Sequence, residues 1–217
     1  MDATLREATA AWLRDPRVDA VAVALRQGRL SAFPTETVFA LAADLRDSDA
    51  VAALYAFKRR SQAKPLALLV ADIDMARRVA LFNDRAQRVA ESLWPGPLTL
   101  VLPAAAGLQT PALAGGRTIG LRCPAHPLAL AIVHRSGGAL AATSLNAAGS
   151  APALTAREAR VALANCDARC DAIVMDDAPP APSAEASTVV VLGGCAADDV
   201  ILRAGAVTGE QISFCAP

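Results

Sequence analysis

Apolar positions along this chain follow two different periods. Residues 2–14 and 17–27 repeat them at helical spacing, and Gly28 stops the second run. "LSAF" (30–33) and "FALAADL" (39–45) are short apolar runs of strand length on either side of Pro34. Ser48 or Asp49 is expected to cap the next helix, with Val51, Leu54, Tyr55 and Phe57 or the stem of Lys58 on its apolar face. "LALLVA" (66–71) reads as the next strand, 74–79 and 84–93 as helices. "LTLVLPA", "TIGLR", "ALAAT", "AIVM", "STVVVL" and "VILR" read as further strands. Pro127 opens a helix reaching His134, and Thr155 caps another with Glu158 at the capping-box position. Helices and strands mix without strict alternation, which predicts an α/β fold: a twisted mixed sheet with packed helices, in a single domain over residues 1–217. "DDAPPAPSAEA" (176–186) is the one low-complexity piece and reads as a mobile loop.

Composition narrows the classes. The 217 residues carry 21 basic and 21 acidic side chains, so net charge is zero. That argues against non-specific coating of nucleic acid but leaves room for a local basic patch. Hydrophobic residues reach 54%, and mean hydropathy is +0.35. The uncharged stretches 92–116 and 136–156 are nevertheless broken by Pro, Gly, Ser and Asn, so they predict core strands and loops, not membrane spans. The N-terminus lacks the apolar run of a signal peptide. Five cysteines at irregular spacing predict free thiols, Cys166 and Cys170 included, and a cytoplasmic protein. His126 and His134 are expected to be structural.

"FKRRSQAKPLALLV" (57–70) changes the picture. Lys58, Arg59, Arg60 and Lys64 stand at the mouth of a core strand, with no acid between Asp49 and Asp72. Alone, such a run is ordinarily a solvated helix end. Other polar groups gather at strand ends: "PTET" (34–37), Thr118 and Arg122 on one strand face, Ser144 and Asn146 on another, then Ser187, Thr188 and Arg203. Open α/β sheets hold ligands at strand ends. Arginine can grip phosphate or carboxylate with two prongs, and lysine acts as a point charge. No glycine-rich phosphate loop, nucleophile elbow or zinc-helix motif occurs, so a phosphate site here must use side chains and loop amides. "WPGPLT" (94–99) reads as a rigid turn into a core strand.

The ordered set "PTET", "K-x-R-x-x-x-K-P-L", "WPGPLT", "R-x-P", "S-x-N", "STVV" and "LR-x-G" resembles the YrdC-type threonylcarbamoyl-AMP synthases, from about Leu25 to Val207. Each motif is weak alone, and seven in order make a specific signature. The resemblance implies a large basic cavity in the fold. It implies conversion of L-threonine, bicarbonate and ATP, with Mg²⁺, into threonylcarbamoyl-AMP and pyrophosphate. A downstream tRNA threonylcarbamoyl transferase would use the product. It assigns Thr35, Lys64, Arg122 and Ser187 to threonine, and Lys58, Arg60, Thr118, Ser144, Asn146 and Arg203 to the nucleotide. Lys58 and Arg60 would stabilise charge developing during phosphoryl transfer. Arg59 is expected to face solvent. Glu36 reads as a metal ligand, a proton acceptor or a structural carboxylate of the turn. Phe39 and Ala40 stand where the family usually has Tyr-Gly. Leu145 replaces an alanine, and Ala148 a serine that helps hold phosphates. The sequence stops soon after Arg203, and the extra C-terminal domain of some relatives is not expected. Two other readings belong to different classes: a double-stranded RNA or tRNA binding module, and a carbamoyl-phosphate-dependent paralogue.

Overall fold

The computed structural model describes residues 1–59, 61–146, 150–164, 172–175, 185–193 and 195–215. Helices α1 (Ala3–Trp12) and α2 (Pro16–Arg26) lead into strands β1 (Leu30–Pro34) and β2 (Phe39–Asp44). Helix α3 (Ser48–Phe57), β3 (Ala67–Leu69), α4 (Ile73–Arg77), α5 (Asp84–Leu93), β4 (Leu98–Pro103) and β5 (Thr118–Arg122) follow. Then come α6 (Pro127–Ser136), β6 (Leu140–Ser144), α7 (Ala156–Ala164), β7 (Ala172–Val174), β8 (Thr188–Val191), β9 (Val200–Arg203) and α8 (Gly209–Phe214).

The helices begin where short polar side chains satisfy the first backbone N–H groups. Asp2, Asp15, Asp47, Asp72, Asn83 and Thr208 each cap one, and Thr208 with Gln211 completes a capping box. The cap of α3 is Asp47, not the expected Ser48 or Asp49, because its carboxylate accepts from the N–H groups of Asp49 and Ala50. Thr155 and Glu158 bond each other's backbone as the sequence predicts. His126 is not inside α6. It caps it, with Nδ1 accepting from the Ala129 N–H at 3.5 Å.

The nine strands form one mixed sheet in the order β7-β1-β2-β6-β3-β5-β4-β8-β9. Parallel pairs β1–β7, β3–β5 and β4–β8 sit among antiparallel ones. In-register residues share a face. Ala141, Leu68, Leu121, Leu100 and Val190 lie side by side across five strands, and all are fully buried. The neighbouring row reads Ala142, Ala67, Gly120 and Val101. One face therefore carries branched side chains into the core, and the other carries very little. A Cβ at Gly120 would stand 3.1 Å from Thr99 Cγ2, so this face is already close to its steric limit there. Helices α1, α2 and α6 pack together, with α2 and α6 against β1. The low-complexity stretch predicted to be a mobile loop, together with Cys166 and Cys170, falls almost wholly outside the described residues.

Candidate functional site

The face of small residues is the floor of a cavity of about 480 Å³, a size that suits a small-molecule site. Strand alternation explains its lining. Thr118, Gly120 and Arg122 come from β5, Thr99 and Val101 from β4, Ala142 and Ser144 from β6, each set two residues apart. Thr35 and Thr37 line it from the β1–β2 turn, and Ser187 and Arg203 from the far side. Of the residues singled out in the sequence, Thr35, Thr118, Arg122, Ser144, Ser187 and Arg203 meet here. Among the described residues the wall holds two arginines but neither Lys58 nor Lys64, so its lining is mixed.

The "PTET" turn is a knot of hydroxyls. Thr35 Oγ1 donates to the Val38 carbonyl at 2.7 Å and accepts from the N–H groups of Thr37 and Val38. Its one proton being used, it accepts from Thr37 Oγ1 at 2.9 Å. Thr37 Oγ1 in turn accepts from Arg122 Nη2 at 2.9 Å. Glu36 Oε2 stands 2.9 Å from that same Nη2, with the two side chains 13% and 10% exposed. Glu36 is thus the counter-ion of Arg122 in this structure. The contact is an ion pair without hydrogen-bond geometry, and both Glu36 oxygens, Arg122 Nε and His126 Nε2 are buried without hydrogen-bond partners. Burial holds His126 down to about pKa 4, against a smaller opposing pull from Glu36. It is neutral at physiological pH.

A second knot joins β4, β8 and β9. Arg203 Nε and Nη2 donate to the Ser187 carbonyl at 3.0 and 2.7 Å, and Nη2 reaches Ser187 Oγ at 2.8 Å. Ser187 Oγ also shares a 2.9 Å bond with Thr99 Oγ1. Burial, then the charge of nearby Arg122, lowers the pKa of Arg203 from its ordinary value. The two arginines therefore feel each other across the cavity, and the region between them favours an anion.

The third knot holds Lys58, the C-cap of α3, where the negative end of the helix dipole favours a cation. Its Nζ donates to Asn146 Oδ1, to the Asn146 carbonyl at 3.1 Å and to Ser144 Oγ at 3.4 Å. Ser144 Oγ donates to Asn146 Oδ1 at 2.8 Å. The predicted pairing of Ser144 with Asn146 is thus direct. Lys64 is exposed on the turn before Pro65, and its carbonyl accepts from Tyr55 Oη at 3.0 Å. Arg59 is exposed, as expected, with φ at 45°. Arg60 and Ala148 lie outside the described residues.

"WPGPLT" is the rigid turn expected of it, and it also frames the site. Gly96 N–H donates to the Cys123 carbonyl at 2.8 Å, and the Pro97 carbonyl accepts from Thr188 N–H at 2.9 Å. One turn therefore ties the end carrying Arg122 to the end carrying Ser187. Thr37 belongs to the "PTET" turn singled out in the sequence, which assigns it no role. Thr99 reads from sequence only as part of a rigid turn; it shares strand parity with Val101, and that parity is the available signal.

Residues 23–205 match the Sua5_yciO_yrdC family, described as "Telomere recombination". The chain belongs to this family. The threonylcarbamoyl-AMP synthase of Bacillus subtilis strain 168 is 37% identical over 201 residues, covering 91% of this chain and 56% of that protein. The synthase of Halorhodospira halophila is 39% identical over 145 residues, covering 66% of this chain and 76% of that one. Among solved structures, Pyrococcus abyssi Sua5 complexed with L-threonine superposes with a TM-score of 0.80 at 30% identity, covering 91% of this chain and 56% of that one. E. coli YciO superposes at 0.78 with 21% identity, a likeness of fold. The chain thus spans little more than half the length of the B. subtilis and P. abyssi proteins. Among the described residues no helix is long and apolar enough to cross a membrane.

Proposed function

We propose that this Sua5/YciO/YrdC protein is a threonylcarbamoyl-AMP synthase, a nucleotidyltransferase that joins L-threonine, bicarbonate and ATP. The observation that carries the reading is the meeting of Arg122 and Arg203 at one cavity otherwise lined by hydroxyls and small residues. That lining suits a ligand with two anionic ends and little bulk between them. A threonine carboxylate would compete with Glu36 for Arg122, while Thr35 and Ser187 orient its polar groups. Lys58, Thr118, Ser144, Asn146 and Arg203 would hold the nucleotide. Lys64 and Arg60 belong to the threonine and nucleotide sets through the resemblance.

The threonine amine attacks the carbon of bicarbonate and water leaves, or adds to CO₂ and gives up a proton; either route yields the N-carboxylate. An oxygen of the resulting N-carboxylate attacks the α-phosphorus of ATP, the bond to the β-phosphate breaks, and pyrophosphate leaves. Negative charge grows on the phosphoryl oxygens, where fixed cations act without reorganising. Lys58, held by three acceptor contacts, meets that requirement. Mg²⁺ carried by the ATP phosphates would neutralise their charge. The product is a reactive mixed anhydride. Its consumer would be an enzyme transferring the threonylcarbamoyl group to an adenosine of tRNA.

The test is pyrophosphate release from ATP and Mg²⁺, with and without L-threonine and bicarbonate. Dependence on both is expected, and Lys58→Ala should lower the rate on the order of 10²-fold. Release that ignores threonine, or that follows carbamoyl phosphate instead, would overturn the reading.

A further inference from the structure

Strand β9 is the outer edge of the sheet, and its side chains do little to hold it. Val200, Ile201 and Leu202 are 53, 44 and 59% exposed. Its ladder to β8 changes register between Val189 and Val190. Yet Arg203, its last residue, reaches Ser187 with three hydrogen bonds.

A second, charged anchor lies at the other end of the strand. Arg85, near the start of α5, places Nη1 2.6 Å from Asp199 Oδ1 and Nη2 2.8 Å from Oδ2. The two side chains are only 6% and 10% exposed. Asp199 Oδ1 also accepts from the Gly193 N–H at 3.0 Å, closing the β8–β9 connection. A forked guanidinium–carboxylate pair fixes distance and plane together. Withdrawing both charges from water is costly, and such pairs are poor stabilisers compared with apolar packing. Selecting one arrangement is the better-attested use of a buried pair. Arg203 stands four residues beyond Asp199, a reach of roughly 13 Å.

We propose that the Arg85–Asp199 pair is the positioning device that sets where Arg203 stands, so that α5 governs nucleotide affinity without touching the ligand. This rests on the synthase reading only for what Arg203 binds. The placement of Arg203 can be measured without any activity.

Arg85→Met removes the fork. Asp199→Asn removes the charge, keeps an acceptor for Gly193, and serves should Arg85→Met fail to fold. The first readout is the Arg203 Nε–Hε resonance of ¹⁵N-labelled protein, identified by its loss in Arg203→Lys. The second is the pair of KM values for ATP and L-threonine in pyrophosphate release. In both variants the resonance should shift and exchange faster with water. KM for ATP should rise about tenfold, with kcat changed by less than about twofold. KM for threonine should move less, because Thr99 holds Ser187 independently. The double variant should be no worse than the worse single one. An unchanged resonance, with only a lower melting temperature, overturns the proposal whatever the kinetics. A shifted resonance with an unchanged KM for ATP upholds the link from α5 to Arg203 and overturns Arg203 as a nucleotide contact.

Discussion

Arg122 is held by a carboxylate and a hydroxyl at once, Glu36 Oε2 and Thr37 Oγ1, both 2.9 Å from Nη2. Lysine keeps the charge but lacks the guanidinium's fork of donors and its spread of charge, so it is a poorer partner for a carboxylate ligand at this position. Arg122→Lys is expected to forfeit a charged hydrogen bond of about 1.5–3 kcal/mol. The rise in threonine KM should be tenfold or more, read from saturation curves at fixed ATP. Beside this pair, His126 titrates at about 4 in the folded chain against 6.5 for a free imidazole. The unfolded chain therefore binds the extra proton between those values. Stability is full above pH 6.5 and falls as pH drops towards 4, by about 3 kcal/mol from this residue. His126→Asn, which can still cap α6, should flatten that part of the curve of unfolding free energy against pH. Cys123 is held at about 12, chiefly by burial, with its Sγ 3.3 Å from the Ala71 carbonyl. Its thiolate is scarce at pH 8, so alkylation by iodoacetamide should wait for unfolding. None of these three environments was visible in the sequence. Each depends on a neighbour brought in by folding, and a carboxylate beside an arginine leaves no periodic trace.

At the scale of elements, the sequence was far more legible. Short apolar runs marked the strands and helical spacing marked most helices, because both are local consequences of backbone geometry, while the cap of α3 was misplaced by one or two residues. The order of the strands was not legible, since β3 sits between β5 and β6 for reasons of global packing. The glycine of "LR-x-G" is a further element-scale feature. A Cβ on Gly205 would stand 2.2 Å from the Ala186 carbonyl oxygen and 2.7 Å from Thr188 N. The chain leaving β9 passes the entry to β8 so closely that only glycine fits. Thr188 Oγ1 then staples the same crossing, donating to the Val207 carbonyl at 2.6 Å and accepting from its N–H. Gly205→Ala should cost about 1–3 kcal/mol in urea unfolding and displace Ser187 with its backbone.

For the whole molecule, the site is a convergence of distant segments: Thr99 meets Ser187 across 88 residues, and Arg85 meets Asp199 across 114. Motif order located most of the participants, but which of them face one another depended on the sheet. Because all the segments must be folded together to bind, ligand should stabilise the entire chain. L-Threonine at a hundred times its Kd is expected to add about 2.7 kcal/mol, read as a rise in melting temperature. Variants of Arg122 should lose that rise. The floor of the cavity has a consequence of another kind. Ala142, Ala67 and Gly120 make room by what they lack, while the opposite side of the same strands is tightly filled. Hollow and scaffold are thus two sides of one sheet. A methyl or isopropyl group added at Ala142 would act as a ruler, shortening what can enter, whereas a Cβ at Gly120 would press on Thr99 and so reach the hydroxyl that meets Ser187.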